Sequence, residues 1–264
     1  MTSYTEHQAA PQQAGDARLP VSRSLAADWS IRTASITAGV ALLLMAIVAI
    51  FGNVVVIDGL VTDGNAAQTA ADIVASEGLF RLGIASLVVV IALDVVVAWA
   101  LYRVFSPVSK SLSMLAATLR LVYSGVFMVA IAELLGVVRL LGNDSSVAVF
   151  GADQLNAQAM LGIGAFNDVW YVGQFLFGLH LLVIGYLAYR SGYVPRVLGA
   201  LLAIAGIGYA ADSLGAVLSS GSWTAISSFT FIGEFLLALW LLIRARPIAA
   251  STSALEEEPI TVAR

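Results

Sequence analysis

Long apolar stretches separated by short polar segments make up most of this chain. Several of these stretches exceed the roughly 20 residues that an α-helix needs to cross the hydrocarbon core of a bilayer. The pattern predicts six such helices, at about 34–57, 79–105, 112–141, 167–189, 197–218 and 224–243. The third is longer than a bilayer requires, so it either tilts or projects from the membrane. We therefore expect an all-α fold, a polytopic membrane helical bundle of six transmembrane helices.

Polar segments flank the predicted membrane domain on both sides. Residues 1–33 are rich in polar residues and predict a cytoplasmic N-terminal tail without a fold of its own. The apolar run that follows is too long and begins too late to be a cleaved signal peptide, so we interpret it as an uncleaved signal-anchor. Residues 34–243 are the predicted six-helix membrane domain. Residues 244–264 are a predicted cytoplasmic C-terminal tail, which contains the acidic run 256–258.

The distribution of charge between the connections predicts the orientation in the membrane. Cytoplasmic loops of membrane proteins carry an excess of Lys and Arg. Basic residues fall before the first predicted helix and in every second connection: Arg18, Arg23, Arg32, Arg103, Lys110, Arg190, Arg196, Arg244 and Arg246. The alternate connections hold mainly acidic residues: Asp58, Asp63, Asp72, Glu77, Asp144 and Asp153. We expect both termini in the cytoplasm and the protein in the cytoplasmic membrane.

Composition excludes several classes of function. The chain is 59% hydrophobic and only 11% charged, whereas a soluble domain has about 25% charged residues. A soluble globular enzyme is therefore excluded. The net charge of −4 provides no basic surface for nucleic acid. With no cysteine and two histidines, His7 and His180, the chain offers neither thiolate ligands nor a three-histidine metal site. We expect no cofactor, and no catalytic motif marks an active site.

Two connections on the predicted outer side show helical periodicity. Asn65 is placed to cap a short amphipathic helix over residues 66–76. In the second connection, Leu155, Ala159, Gly162 and Phe166 recur at helical spacing between residues 153 and 166. Either segment is suited to lie in the membrane interface or to cover the bundle from outside. The alternative, which loops of this length favour, is a short ordered connection without a functional role.

Three stretches resemble a known family of bacterial membrane proteins. The longest runs from Phe177 to Gly199 and continues at 205–213, Ala-Gly-Ile-Gly-Tyr-Ala-Ala-Asp-Ser, and its most specific part is the segment around His180 to Pro195. The others are Phe-Arg-Leu-Gly at 80–83 and Leu-Arg-Leu-Val at 119–122. Over about residues 32–245 the chain resembles the family catalogued as domain of unknown function 4386. The resemblance implies a multi-helix integral membrane protein and carries over no substrate or catalytic residue.

Ionisable residues inside the predicted helices are the candidate site. A charge at the bilayer centre costs about 2.5–3.5 kcal/mol on insertion scales, so each one needs a partner, water or a function. Near the middle of their helices lie Asp94, Arg120, His180 and Glu234, and nearer the outer face lie Arg81, Glu133 and Asp212. We expect Asp94 to pair with Arg120, and Arg81 to pair with Glu133 or Asp212.

These seven residues support two interpretations. In the functional one they line a polar cavity in which Arg81 and Arg120 bind a carboxylate or an anionic headgroup, and His180 relays a proton to Glu234 or Asp94. The protein then binds or moves a small or lipid-like ligand. In the structural one the same groups are hydrogen-bonded and fix helix register in a membrane scaffold or interaction protein. A membrane-embedded hydrolase or transferase using His180 is a third, weaker possibility.

The fifth predicted helix carries a narrow stripe of small residues. Gly199, Ala203, Gly206 and Ala210 occupy one face of this helix. Such a face lets another helix approach closely, either within the bundle or in a homo-oligomer. The expected partners are therefore the lipid bilayer, a lipid or small-molecule ligand, and a second copy of the chain.

Overall fold

The computed structural model describes residues 30–142, 151–219, 226 and 232–244. These residues form helices and connecting turns, and contain no strand. We number the helices α1 (Ile31–Ala49), α2 (Ala66–Ala75), α3 (Glu77–Phe105), α4 (Lys110–Leu141), α5 (Ala152–Arg190), α6 (Arg196–Leu218) and α7 (Ile232–Ile243). The all-α prediction is confirmed for this part of the chain. The two predicted tails lie almost wholly outside it.

The first helix is longer than the sequence pattern predicted. The Ser30 side chain accepts a hydrogen bond from the Thr33 backbone N–H and caps the N-terminus of α1. Beyond Ala49 the helix continues as a π-helix (Ile50–Ile57) and a last turn (Asp58–Leu60). Gly52 in the π-helix faces α3, where an added Cβ would clash with the Ser86 hydroxyl. The π-helix thus coincides with a close approach of α1 to α3.

The described parts of the two connections that were expected on the outer side are helical. The Asn65 side chain accepts from the Gln68 N–H, so this predicted cap of α2 is confirmed. The second segment is the beginning of α5, which starts at Ala152 rather than 167 and runs for 39 residues. At 1.5 Å per residue α5 is about 58 Å long, which exceeds a bilayer. Its first four turns therefore extend beyond the apolar core.

The extension of α5 packs against α2 because both bury matching apolar faces. Leu155, Ala159 and Ile163 of α5 are buried, as are Ala70 and Ile73 of α2. Between the two helices and the end of α4 lies a pocket of about 280 Å³. Its lining is mostly alanine, valine and leucine. We call this side of the molecule the α2 end, and the opposite side, where residues 191–195 join α5 to α6, the hairpin end.

The long helices and α7 form a closed ring. Each packs against the next along the chain: α1 on α3, α3 on α4, α4 on α5, α5 on α6, and α6 on α7. Packing of α7 against α1 closes the ring. At this seam Gly39 of α1 lies against Leu242 and the Ala238 carbonyl of α7. Sequence neighbours are therefore also spatial neighbours, as short connections between antiparallel helices dictate.

The stripe of small residues on α6 is used inside the bundle. A Cβ added to Gly206 would lie 2.6 Å from the Gly178 carbonyl of α5, and one added to Gly199 would lie 2.7 Å from the Gly185 carbonyl. The stripe therefore brings the α5 and α6 backbones into contact. Because α5 covers this face within one chain, the face is not free for the expected homo-oligomer.

Within the described residues, five helical spans are long and apolar enough to cross a membrane: Ile31–Leu60, Glu77–Phe105, Lys110–Leu141, Ala152–Arg190 and Arg196–Leu218. The protein is thus a multi-pass membrane protein by length and composition of its helices. The sixth predicted span, 224–243, is represented by α7, which has 12 residues. Most of the first half of that prediction lies outside the described residues.

A compact turn closes the hairpin end. The positive φ of Gly192 (74°) suits glycine, which lacks a Cβ. The Tyr193 hydroxyl donates to the Val104 carbonyl of α3 at 2.6 Å, and burial raises the pKa of this phenol. This hydrogen bond fixes the turn to α3, although the two residues are 89 positions apart in the sequence.

Candidate functional site

One polar or polarisable side chain from each helix of the ring belongs to a central group. These are Met45 of α1, Asp94 of α3, Arg120 of α4, His180 of α5, Tyr209 of α6 and Glu234 of α7, and we call them the central cluster. Arg120 lies ten residues from the start of α4, and His180 ten from the end of α5, which places both about 15 Å from the hairpin end. The cluster thus lies in the middle of the apolar core.

Arg120 and Asp94 form the predicted ion pair. The Nε and Nη2 atoms of Arg120 each lie 2.7 Å from Oδ1 of Asp94. Both side chains are almost completely buried, with exposures of 1% and 2%. Close charge-assisted hydrogen bonds compensate part of the cost of removing both ions from water. The pair joins α3 to α4.

The hydrogen bonds of His180 define its tautomer. Nδ1 lies 2.8 Å from the Ala116 carbonyl, which can only accept, so Nδ1 carries the proton. Nε2 lies 3.1 Å from Nη1 of Arg120, which can only donate, so Nε2 is the acceptor. His180 is therefore a neutral imidazole that links α5 to α4. Its ring also stacks on Phe177, with centroids 5.8 Å apart.

The remaining contacts of the Arg120 guanidinium are with a sulfur atom and an aromatic ring. Nη2 donates to the Met45 sulfur at 3.6 Å, and a thioether is a weak acceptor. The guanidinium carbon lies 5.2 Å from the centre of the Phe177 ring, a cation–π distance. Arg120 thus has strong acceptors toward α3 and α5 and only a weak one toward α1.

An aromatic layer adjoins the cluster toward the α2 end. Phe177 contacts Tyr123 at 4.8 Å and Tyr209 at 5.2 Å between ring centroids. The Tyr123 hydroxyl accepts a hydrogen bond from the Trp170 indole N–H at 3.1 Å. Trp170 in turn packs on Phe127 and Phe166. These rings cover the charged groups from that side.

Glu234 and Asp212 extend the polar region beyond the ion pair. Glu234 shares a face of α7 with buried Leu237, Ala238 and Leu241, which directs it inward. It interacts electrostatically with Arg120 and Asp94. Asp212 of α6 is fully buried and accepts a hydrogen bond from the Ile226 backbone N–H at 2.8 Å.

Two predicted site residues lie apart from the central cluster. Arg81 pairs with Glu77 one turn earlier on α3, at 2.7 Å, and both side chains are about half exposed. The expected pairing of Arg81 with Glu133 or Asp212 is therefore wrong, because a partner on the same helix surface is nearer. Glu133 is half-buried near the α2 end of α4. The structure thus separates these two residues from Asp94, Arg120, His180 and Glu234.

Three contributors to the site, Met45, Tyr123 and Tyr209, were not among the residues that the sequence predicted. Equal depth is the signal that could have identified Met45 and Tyr209, since Met45 lies near the middle of the continuous span Ile31–Leu60 and Tyr209 near the middle of α6. Among the residues that the structure describes, no three His, Asp or Glu side chains are grouped as metal ligands.

Comparison with known proteins identifies the family. The family model described as "Domain of unknown function (DUF4386)" matches residues 37–245. An uncharacterized protein of Archaeoglobus fulgidus is 36% identical over 170 residues, which cover 64% of this chain and 88% of that protein. No solved structure matches the chain significantly. Because the family model covers most of the chain, the protein belongs to the family described as domain of unknown function DUF4386.

Proposed function

We propose that this protein binds a small or lipid-like ligand at the central cluster, within the membrane domain. The arrangement of side chains from the other five helices of the ring around Arg120 carries the proposal. Ligand sites in helical bundles are built from side chains on facing helices. Ionisable residues are rare in the middle of membrane helices, and where they occur they mark substrate or ion sites.

The Arg120 guanidinium offers the chemistry for ligand recognition. Its Nη2 donates to the Met45 sulfur, which is a weaker hydrogen-bond acceptor than an oxygen atom. A carboxylate, phosphate or carbonyl oxygen that displaces the Met45 side chain gains a charge-assisted hydrogen bond. Met has three rotatable bonds and adapts to such a displacement. The proposed ligand therefore has an oxygen headgroup and reaches Arg120 from the side of α1.

We also propose the membrane arrangement that this site requires. The chain crosses the cytoplasmic membrane six times, with α7 and the preceding residues as the sixth crossing and both termini in the cytoplasm. The charge distribution supports this orientation. Basic residues such as Lys110, Arg190 and Arg196 lie near the hairpin end, acidic residues lie near the α2 end, and cytoplasmic loops carry an excess of Lys and Arg. The proposed source is bacterial, from the family that the sequence resembles.

Native mass spectrometry of the gently detergent-extracted protein tests the binding proposal. The test variant combines Asp94→Asn with Arg120→Met, which removes both charges and leaves no buried ion unpaired. The matched control combines Glu77→Gln with Arg81→Met, which removes the half-exposed pair of α3. We expect a stoichiometric adduct on the wild type and the control that is lost from the test variant.

The alternative is that the cluster is structural and the protein is a membrane scaffold. The close hydrogen bonding and the 1% exposure of Arg120 favour it. Identical adducts on all three proteins, or a bare wild type, would support this alternative and contradict ligand binding at Arg120. A hydrolase or transferase is a third candidate and requires an activity that is lost with His180→Ala.

A further inference from the structure

The hairpin end carries positive charges that no described carboxylate balances. Lys110 begins α4, Arg190 ends α5 and Arg196 begins α6, and all three side chains are exposed. Four described segments lead to this end, and none of them contains Asp or Glu: 30–57, 95–132, 169–211 and 235–244. Within the described part of the chain, these cations therefore have no carboxylate partner at their own end of the bundle.

A well-fixed turn separates the two arginines. The Ser191 hydroxyl accepts a hydrogen bond from the Val194 backbone N–H at 3.0 Å, which closes the turn. Next to it, a Cβ added to Gly199 of α6 would lie 2.7 Å from the backbone nitrogen of Tyr189 on α5, so the ends of the two helices are in backbone contact. Because this backbone is already fixed, binding of an anion by both arginines would order only their side chains.

The Arg196 side chain lies over the ring of Tyr189. Its guanidinium carbon is 5.6 Å from the centre of the ring, a cation–π distance. Stacking uses the face of the guanidinium and leaves the N–H groups, which lie in its plane, available to an anion. Arg196 is also the first residue of α6, where the helix dipole disfavours a cation. Helix stability therefore does not account for a positive charge at this position, whereas an anionic partner would.

The surface beside these arginines is apolar and exposed. Tyr186 and Tyr189, three positions apart on α5, are 52% and 48% exposed, and Val197 of α6 is 70% exposed. Tyrosines at the ends of membrane helices lie at the level of the lipid headgroups. A phospholipid presents a phosphate next to its acyl chains, so it matches a cationic group that adjoins an apolar surface. A soluble anion would contact the cationic group alone.

We propose that Arg190, Arg196 and Tyr189 form a binding site for an anionic phospholipid at the hairpin end. The lipid phosphate accepts hydrogen bonds from the two guanidinium groups, whose planar arrangement of donors suits phosphate oxygens. The Tyr189 ring holds Arg196 in position, and the acyl chains lie along the adjoining apolar surface. The site is distinct from the central cluster, so this proposal and ligand binding at the cluster can each fail while the other holds.

Native mass spectrometry of the detergent-extracted full-length protein, titrated with phosphatidylglycerol and in parallel with phosphatidylcholine, tests the lipid site. The test variant combines Arg190→Gln with Arg196→Gln. The matched control combines Arg81→Gln with Arg139→Gln, which removes two arginines from the α2 end. Each basic residue near anionic lipid contributes about fivefold in affinity, so we expect the test variant to bind phosphatidylglycerol about 25-fold more weakly than the wild type. We expect the control to bind it as the wild type does.

A second pair of variants tests the stacking of Arg196 without changing any charge. Tyr189→Phe keeps an aromatic ring and should bind phosphatidylglycerol as the wild type does. Tyr189→Leu removes the ring and should weaken binding about two- to fivefold, the contribution of an exposed cation–π contact. Equal affinity of these two variants would contradict the role of the ring.

Three results overturn the lipid site itself. The first is equal affinity of the wild type for phosphatidylglycerol and phosphatidylcholine. The second is an unchanged affinity for phosphatidylglycerol in the variant that lacks both arginines of the turn. The third is displacement of phosphatidylglycerol by an equal concentration of inorganic phosphate, which would identify a soluble anion as the occupant.

Discussion

Arg120 shows how one buried charge organises its surroundings. Its guanidinium bonds to a carboxylate on α3 and an imidazole on α5, and lies over the Phe177 ring. Hydrogen bonds within membranes contribute only about 0.6 kcal/mol each on average, so such contacts select an arrangement more than they stabilise it. The contacts of the Arg120 side chain thus fix how α3, α4 and α5 are rotated about their axes relative to one another.

The two ion pairs of α3 should differ in their effect on stability. Asp94→Ala leaves Arg120 buried without its carboxylate, and loss of one partner from a buried pair costs about 3–5 kcal/mol. Glu77→Ala breaks the half-exposed pair with Arg81, and exposed pairs contribute at most about 1 kcal/mol. We expect a large fall in the free energy of unfolding in detergent for Asp94→Ala and a small one for Glu77→Ala.

The double variant Asp94→Asn, Arg120→Met refines this comparison. Because it leaves no ion unpaired, it should be more stable than Asp94→Ala alone. Equal losses for Asp94→Ala and Glu77→Ala would contradict the burial of the Asp94–Arg120 pair.

The helix boundaries show which features of a helix the sequence can predict. The apolar periodicity located α3 and α4 to within two residues, because their ends coincide with charged residues and turns. It began α5 at 167, fifteen residues late, because the helical spacing of residues 153–166 was interpreted as a separate segment outside the membrane span. Those residues are helical because Leu155, Ala159 and Ile163 find an apolar partner in α2. That partner is distant in sequence.

Close packing of α5 on α6 makes Gly206 sensitive to a single methyl group. A Cβ at Gly206 would lie 2.6 Å from the Gly178 carbonyl, a backbone atom that cannot move alone. Overpacking of this kind costs about 1–3 kcal/mol. Gly136 of α4 has no atom within 4 Å of an added Cβ. We expect Gly206→Ala to lower the thermal midpoint in detergent.

Gly136→Ala is the control for this prediction. It should leave the midpoint unchanged or raise it, since alanine stabilises a helix by about 0.5–1 kcal/mol over glycine. A Gly206→Ala protein as stable as the wild type would show that α5 and α6 are not in backbone contact.

For the whole molecule, the order of the helices in the ring determines on which side of the membrane each connection and each chain end is expected. The proposed six crossings would place both tails on the side of the hairpin end, opposite α2. The chain has no cysteine, so each introduced thiol is unique. With an impermeant thiol reagent on intact cells, we expect Asp63→Cys to be labelled, and Ser3→Cys and Ser253→Cys only after the membrane is opened.

Each outcome of the labelling identifies a different topology. Labelling of Ser253→Cys but not Ser3→Cys in intact cells would mean an odd number of crossings, as the five long helices alone would give. Labelling of both tails but not Asp63→Cys would reverse the proposed orientation.

The amino-acid sequence by itself determined the membrane class, the all-α fold, the family and the Asp94–Arg120 pair. Hydrophobic length and periodicity are local properties, and two opposite charges at equal depth on successive helices have few other partners. Only the tertiary structure decided that Arg81 binds Glu77, that α5 covers the small face of α6, and that Met45 and His180 contact Arg120. These contacts depend on how each helix is rotated about its axis, which is set by the packing of all its neighbours together.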